Sequence, residues 1–112
     1  MFNYFFGSDS RSLNYLKFLN ENTKNLSVVT SSPIKSGRGK KVKANIIETF
    51  CVKNSINFKY FNQNDTYEDM SNALCVSFKN IFSPEFLSKN NNIYNVHLSL
   101  LPKFKGPSPV ET

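Results

Sequence analysis

The sequence predicts one α/β domain, a parallel sheet with helices packed on both faces. Three observations predict it. Short apolar runs alternate with helical patterns along 112 residues. A strand–helix–strand order requires right-handed crossovers, and these place successive strands parallel. Hydrophobic residues make up 39% of the chain and charged residues 20%, enough to bury a core and too apolar for a disordered polyampholyte. No apolar run approaches the roughly 20 residues of a membrane-spanning helix, so no membrane partner is expected.

Taken in order, Phe2 to Phe6 is a compact aromatic run stopped by Gly7-Ser8-Asp9, a buried strand followed by a tight turn. From Ser10 onward Leu13, Leu16 and Leu19 recur at helical spacing, and Tyr15 and Phe18 are expected to widen the stripe. Leu26 to Thr30 reads as the second strand and Ser31 to Lys43 as a loop. Asn45 to Lys53 reads as a helix with Ile46, Ile47, Phe50 and Cys51 on one face. Phe58 to Phe61 is a short strand, and Tyr67 to Asn72 a turn or short helix leading into strand Ala73 to Phe78. Ser83-Pro84-Glu85 is a helix start, with a capping hydroxyl, proline at the first helical position and an acid in the first turn; the helix runs to about Lys89. Ile93 to His97 is the fifth strand, and Pro102 to Pro109 is irregular.

Doubly wound sheets bind ligands outside the carboxyl ends of their strands. Three segments meet that condition: Gly7-Ser8-Asp9, Ser31 to Lys43, and the stretch from Asn95 onward. The first lacks both the GxGxxG spacing and a phosphate-binding lysine, so it reads as a plain strand-to-helix turn rather than a nucleotide site. The second holds Lys35, Arg38, Lys40, Lys41 and Lys43, with no acid between Pro33 and Ala44. These five charges hold nearly all of the net +6, and with Gly37 and Gly39 they suit either a solvated loop or a contact with the phosphates of an RNA end.

Asn95 and His97 stand two apart at the end of the last strand, which points both to one face. A carboxamide beside an imidazole can bind a carbonyl oxygen that becomes negative, and the imidazole can also move a proton. That pairing suits acyl transfer. Ser99 as a nucleophile lacks a third group that would complete a triad. Cys51 and Cys75 each lie in an apolar segment with no CxxC pair and no neighbouring histidine. They read as two reduced, buried thiols, with a disulfide as the alternative and no metal site expected.

The run Asn95-Val96-His97-Leu98-Ser99-Leu100-Leu101-Pro102-Lys103-Phe104-Lys105-Gly106 closely resembles the NxHxSLLPxxxG signature of the formyltransferases that use 10-formyltetrahydrofolate. Phe5-Phe6-Gly7-Ser8-Asp9 and Ser36-Gly37-Arg38-Gly39-Lys40-Lys41 resemble the branch of that family that acts on tRNA. The resemblance implies a Rossmann-like sheet of the formyltransferase type, incomplete at the carboxyl end. It implies that residues 1–112 form the amino-terminal part of the catalytic domain. A downstream catalytic Asp and a carboxyl-terminal tRNA-binding domain would then lie beyond Thr112. A sheet ending at its fifth strand leaves an apolar edge, so 112 residues alone are expected to pack loosely.

The resemblance also assigns roles. Asn95 and His97 would hold and polarise the formyl group of 10-formyltetrahydrofolate during attack by the amino group of methionine on initiator methionyl-tRNA, for translation initiation. Ser99, Leu100, Leu101 and Pro102 would contact the folate, and Lys35, Arg38, Lys40, Lys41 and Lys43 the tRNA. No metal and no obligate protein partner is implied. Two positions depart from the pattern. Leu98 replaces a small residue or proline. Lys79 follows Phe78 where a glycine is usual near the folate, so its side chain would crowd the folate or approach its glutamate tail. The opening segment suggests a mitochondrial protein, although no transit peptide precedes Phe2; the alternative is cytoplasmic. Two other functions remain open: a folate-dependent formyltransferase acting on a small nucleotide amine, and a basic RNA-binding module without catalysis.

Overall fold

The computed structural model describes residues 2–36 and 41–96. Its strands are β1 (Tyr4–Gly7), β2 (Ser27–Thr30), β3 (Ile34–Ser36), β4 (Lys41–Lys43), β5 (Phe58–Tyr60), β6 (Ala73–Val76) and β7 (Ile93–Val96). Its helices are α1 (Ser10–Asn22), α2 (Ile46–Lys53) and α3 (Pro84–Lys89). Five strands form one sheet in the order β5-β2-β1-β6-β7, and every pairing in it is parallel. The chain moves outward from β1 to β2 and β5, then returns to the other side of β1 for β6 and β7. The order therefore reverses between β1 and β6, which makes the carboxyl ends of these two strands the topological switch point.

The alternation of side chains splits the core in two. Phe5, Val28 and Val76 face α1 and α2, where they meet Leu16, Leu19, Ile47 and Cys51. Tyr4, Phe6, Val29 and Cys75 face the other way, toward Tyr67 and Phe86 of α3. Cys51 and Cys75 are both free and lie on opposite sides of the sheet, so reduced thiols are the observed state and a disulfide between them has no path.

Local chemistry sets the helix ends. Asp9 caps α1 by accepting from the Arg11 amide, Asn45 caps α2 by accepting from Glu48, and Ser83 caps α3 by accepting from Phe86. Helix α2 ends in a Schellman motif: Ser55 adopts φ 56°, and the Ile56 amide reaches back 2.9 Å to the Cys51 carbonyl. Gly7 is required by close packing. A Cβ there would sit 2.6 Å from Ser12 Oγ and 2.7 Å from the Phe5 ring.

Several expectations are corrected. Ser31 to Lys43 is not a plain loop: β3 and β4 pair antiparallel, with Ile34 opposite Lys43, Lys35 opposite Val42 and Ser36 opposite Lys41. Tyr15 and Phe18 are exposed, at 37% and 64%, because the inner face of α1 is Ser12, Leu16 and Leu19, with Leu13 partly buried beside them. Ile46 is exposed as well, leaving Ile47 and Cys51 as the buried face of α2. Strand β6 ends at Val76 because Ser77 takes φ 48°, which no strand can continue.

The β5-to-β6 crossover, residues 61–72, contains no helix. Aromatic rings take its place over that face. Phe61 lies edge-on to Phe86 at 5.3 Å, and Phe82 stacks on Phe86 at 5.0 Å. The segment is tied down by polar contacts: Tyr4 Oη donates to the Glu68 carbonyl at 2.8 Å, and Asn3 Oδ1 accepts from the Ser71 and Asn72 amides.

Candidate active site

Among the described residues, the buried polar side chains Ser8, Thr30 and Ser31 lie at the carboxyl ends of β1 and β2, beside the switch point. Thr30 Oγ1 donates to the Gly7 carbonyl at 2.7 Å and accepts from Asn45 Nδ2 at 2.9 Å. Ser77 Oγ donates to Asp9 Oδ2 at 2.6 Å, and the Ser8 amide donates to the Ser77 carbonyl at 3.2 Å. The Lys79 amide donates to Ser8 Oγ at 3.0 Å. These bonds tie the carboxyl ends of β1 and β6 together, and a hollow of about 400 Å³ lined by Ser8, Asp9, Arg11, Ser77, Phe78 and Lys79 lies over them.

On the β7 side is a recess of about 420 Å³ lined by Arg11, Cys75, Ser77, Phe78, Asn80, Phe82, Asn95 and Val96. Asn95 stands opposite Cys75 in the parallel register, next to the last residue of β7. Phe78 and Phe82 form a stacked pair, with centroids 5.5 Å apart and planes 27° from parallel. Flat apolar walls with two carboxamides and a guanidinium suit a planar heteroaromatic group that also carries hydrogen-bonding edges. Cys75 is no nucleophile here. Burial pushes its thiol up to about 11, so it is protonated at neutral pH.

The other sequence-derived site residues fall as follows. Lys43 is exposed at the root of the β3–β4 hairpin, while Lys35 and Lys41 lie on its two strands. Arg38 and Lys40, at the hairpin's tip in sequence, lie outside the described residues. So do His97, Leu98, Ser99, Leu100, Leu101 and Pro102. The structure therefore brings Asn95 to the recess and the hairpin to the same carboxyl edge. Lys79 does not line the Asn95 recess; it lies between two smaller hollows, one shared with Lys43 and one with Asp9 and Arg11.

Sequence reasoning passed over Ser31, Asn80, Phe82 and Asn45. Their only local signal was position, just past a strand end or at a helix cap, which is where doubly wound folds assemble sites.

The family model described as formyl transferase matches residues 6–112. The chain belongs to the formyl transferase family. Among curated relatives of this formyl transferase chain, the methionyl-tRNA formyltransferase of Thermosipho africanus is 32% identical over 96% of the chain and 38% of its own length. That of Endomicrobium trichonymphae is 33% identical over 96% and 37%. That of Borrelia turicatae is 32% identical over 97% and 38%. The chain thus spans well under half the length of these relatives. The match begins inside β1, at Phe6, and runs through the switch point, the hairpin and the stretch from Asn95 onward.

Proposed function

We propose that this chain is the amino-terminal part of an enzyme that moves a formyl group from 10-formyltetrahydrofolate to the amino group of methionine on initiator methionyl-tRNA, for translation initiation. The observation that carries this reading is the position of Asn95. It opens the signature at the carboxyl end of β7 and lines the recess whose other walls are the Phe78–Phe82 pair. The relatives are named methionyl-tRNA formyltransferase, which supports methionyl-tRNA as the acceptor.

In this reading the folate's ring system lies against Phe78 and Phe82, which places its formyl group beside Asn95. The methionine nitrogen attacks the formyl carbon and a new carbon–nitrogen bond forms. The formyl oxygen gathers negative charge and accepts from the Asn95 amide, which is fixed by the strand and pays little reorganisation. The bond from that carbon to the folate nitrogen then breaks. The proton lost by the amine reaches the departing nitrogen through His97, giving tetrahydrofolate and formyl-methionyl-tRNA. Ser99 to Pro102 complete the folate contact, and the hairpin with Lys35, Arg38, Lys40, Lys41 and Lys43 meets the tRNA. A small nucleotide amine would have no use for a basic hairpin at the same edge as the recess. A mitochondrial location belongs to the same proposal and is read from the distribution of the tagged full-length protein.

The test is formylation of methionyl-tRNA by the full-length protein with 10-formyltetrahydrofolate. Removing an oxyanion donor commonly costs 10²–10³ in kcat, so Asn95→Ala is expected to lower kcat by about that factor. His97→Ala is expected to abolish transfer while leaving tRNA affinity intact. Absence of formylation by the unaltered protein, together with RNA binding indifferent to His97→Ala, would instead establish a non-catalytic RNA-binding module.

A further inference from the structure

Between the hairpin and the switch point lies a hollow of about 190 Å³, separate from the Asn95 recess. Ser8, Ser31, Ser32, Asn45, Lys43 and Lys79 line it, and no acidic side chain does. Lys43 comes from the hairpin root and Lys79 from the turn after β6, so two elements far apart in sequence bring lysines to the lining of one space. Both lysines are exposed, and neither enters an ion pair among the described residues, where the pairs are Arg11–Asp9, Lys59–Asp65 and Lys89–Glu85. The wall behind them is rigid. Ser8 and Ser31 have spent their protons on each other and on Asn80, and both hydrogens of the Asn45 amide are taken by Thr30 and Ser31. The hollow is therefore a hydrogen-bonded polar floor with two exposed lysines in its lining.

We propose that this hollow seats one backbone phosphate of the single-stranded acceptor end of the tRNA, held by Lys43 and Lys79. Its volume lies below the roughly 300–1,000 Å³ of pockets that enclose drug-sized ligands, too small for a folate and adequate for a phosphate with part of its ribose. Its position fits. Lys79 stands between it and the edge that carries Asn95, so a strand entering over the hairpin passes the hollow just before its terminal amino acid reaches the recess. The inference rests on the tRNA-acting reading and adds Lys79 to it as a residue that grips the acceptor.

The experiment compares the full-length protein with Lys79→Gln and with Lys43→Gln/Lys79→Gln, measuring tRNA affinity across salt and KM for mono- and polyglutamylated 10-formyltetrahydrofolate. Loss of one phosphate contact on a single strand lowers the slope of log affinity against log salt by about 0.7, so the double variant is expected to lose about 0.7 and the single variant part of it. A change of about 0.7 makes the loss roughly 2.6-fold larger at 50 mM than at 200 mM salt. On tRNA trimmed of its single-stranded end, variant and unaltered protein should bind alike. Both lysines are exposed, so matching melting curves verify that the fold is kept. Unchanged salt slopes overturn the proposal while leaving the enzymatic reading in place. A raised KM confined to the polyglutamylated folate overturns it too, and reassigns Lys79 to the glutamate tail. Failure of the unaltered protein to bind tRNA at all overturns the tRNA-acting reading itself.

Discussion

The hydroxyls of Ser8 and Ser31 lie 2.6 Å apart at the carboxyl ends of β1 and β2, and their protons can run only one way. Ser31 Oγ donates to Asn80 Oδ1 at 2.5 Å, which uses its single proton, so Ser8 must donate to Ser31. The Lys79 amide in turn donates to Ser8 Oγ. The result is a closed ring, from Lys79 through Ser8 and Ser31 to Asn80, that fastens the turn after β6 onto two other strand ends. It also fixes the Asn80 carboxamide with its oxygen turned to Ser31 and its NH₂ left for the recess that Asn95 lines.

Opening that ring should cost stability in a way that depends on which member is removed. Ser31→Ala leaves the proton of the buried Ser8 without its partner, while the exposed Asn80 can turn to solvent, and an unsatisfied buried polar group costs about 1–3 kcal/mol. Adding Asn80→Ala to Ser31→Ala should cost less than the sum of the two single changes, with a coupling of about 0.5–3 kcal/mol. Denaturant melts of the four proteins measure this, and strict additivity would show that the ring does not act as one unit.

Gly7 is expected to tolerate no Cβ. Gly7→Ala would push against both Ser12 Oγ and the Phe5 ring, and overpacking of this kind costs about 1–3 kcal/mol. Ser12→Ala removes the nearer obstacle but not the ring. The double variant should therefore recover only part of the loss, as read from thermal melts.

The two buried thiols set an alkaline limit. Burial, with Glu48 nearby, pushes Cys51 up to about 11, and burial alone does the same for Cys75. A folded-state value above the unfolded one means that the native state holds its proton more tightly. The contribution is complete below pH 9, the ordinary thiol value, and is lost as pH rises toward 11. Each thiol should cost on the order of 2 kcal/mol over that interval. The Tyr4 and Tyr67 hydroxyls, also raised chiefly by burial, act in the same direction. Denaturant midpoints at pH 8 and pH 10.5 check this. Replacing both cysteines by Ala should flatten the difference.

What the sequence made legible was local. Ser83-Pro84-Glu85 announced α3 because a cap, a proline and an acid need only their own neighbours. The parallel order followed from alternation of strands and helices, and Asn95 from its place at a strand end. The hairpin was not legible: two three-residue strands around glycines carry too little periodicity to separate from a loop. Tyr15 and Phe18 misled for a different reason. At about 100° per residue, Phe18 sits roughly 200° from Leu16, and the sheet covers only one side of α1. The Ser8–Ser31–Asn80 ring joins residues 23 and 49 positions apart, and no pattern in one chain encodes such a meeting.

Ser55 and Ser77 share a left-handed backbone, at φ 56° and 48°, yet glycine should act oppositely at the two. A non-glycine residue there gives up roughly 1 kcal/mol or more relative to glycine. Ser55 is exposed, terminates α2, and donates only its amide, so Ser55→Gly should relieve the strain at no loss of contact. A gain of 1 kcal/mol would raise Tm by about 4–8 °C in a domain of this size. Ser77 spends the same strain on position. Its Oγ holds Asp9 Oδ2, the residue that caps α1, and its carbonyl receives the Ser8 amide. Ser77→Gly frees the backbone but discards a hydrogen bond to a carboxylate worth about 1.5–3 kcal/mol, so Tm should stay level or fall. It should also loosen the turn carrying Phe78 and raise KM for the formyl donor, which Ser55→Gly leaves alone. Equal melting shifts and unchanged KM in both variants would show that the strain at Ser77 serves the turn only, and not the recess beside Asn95.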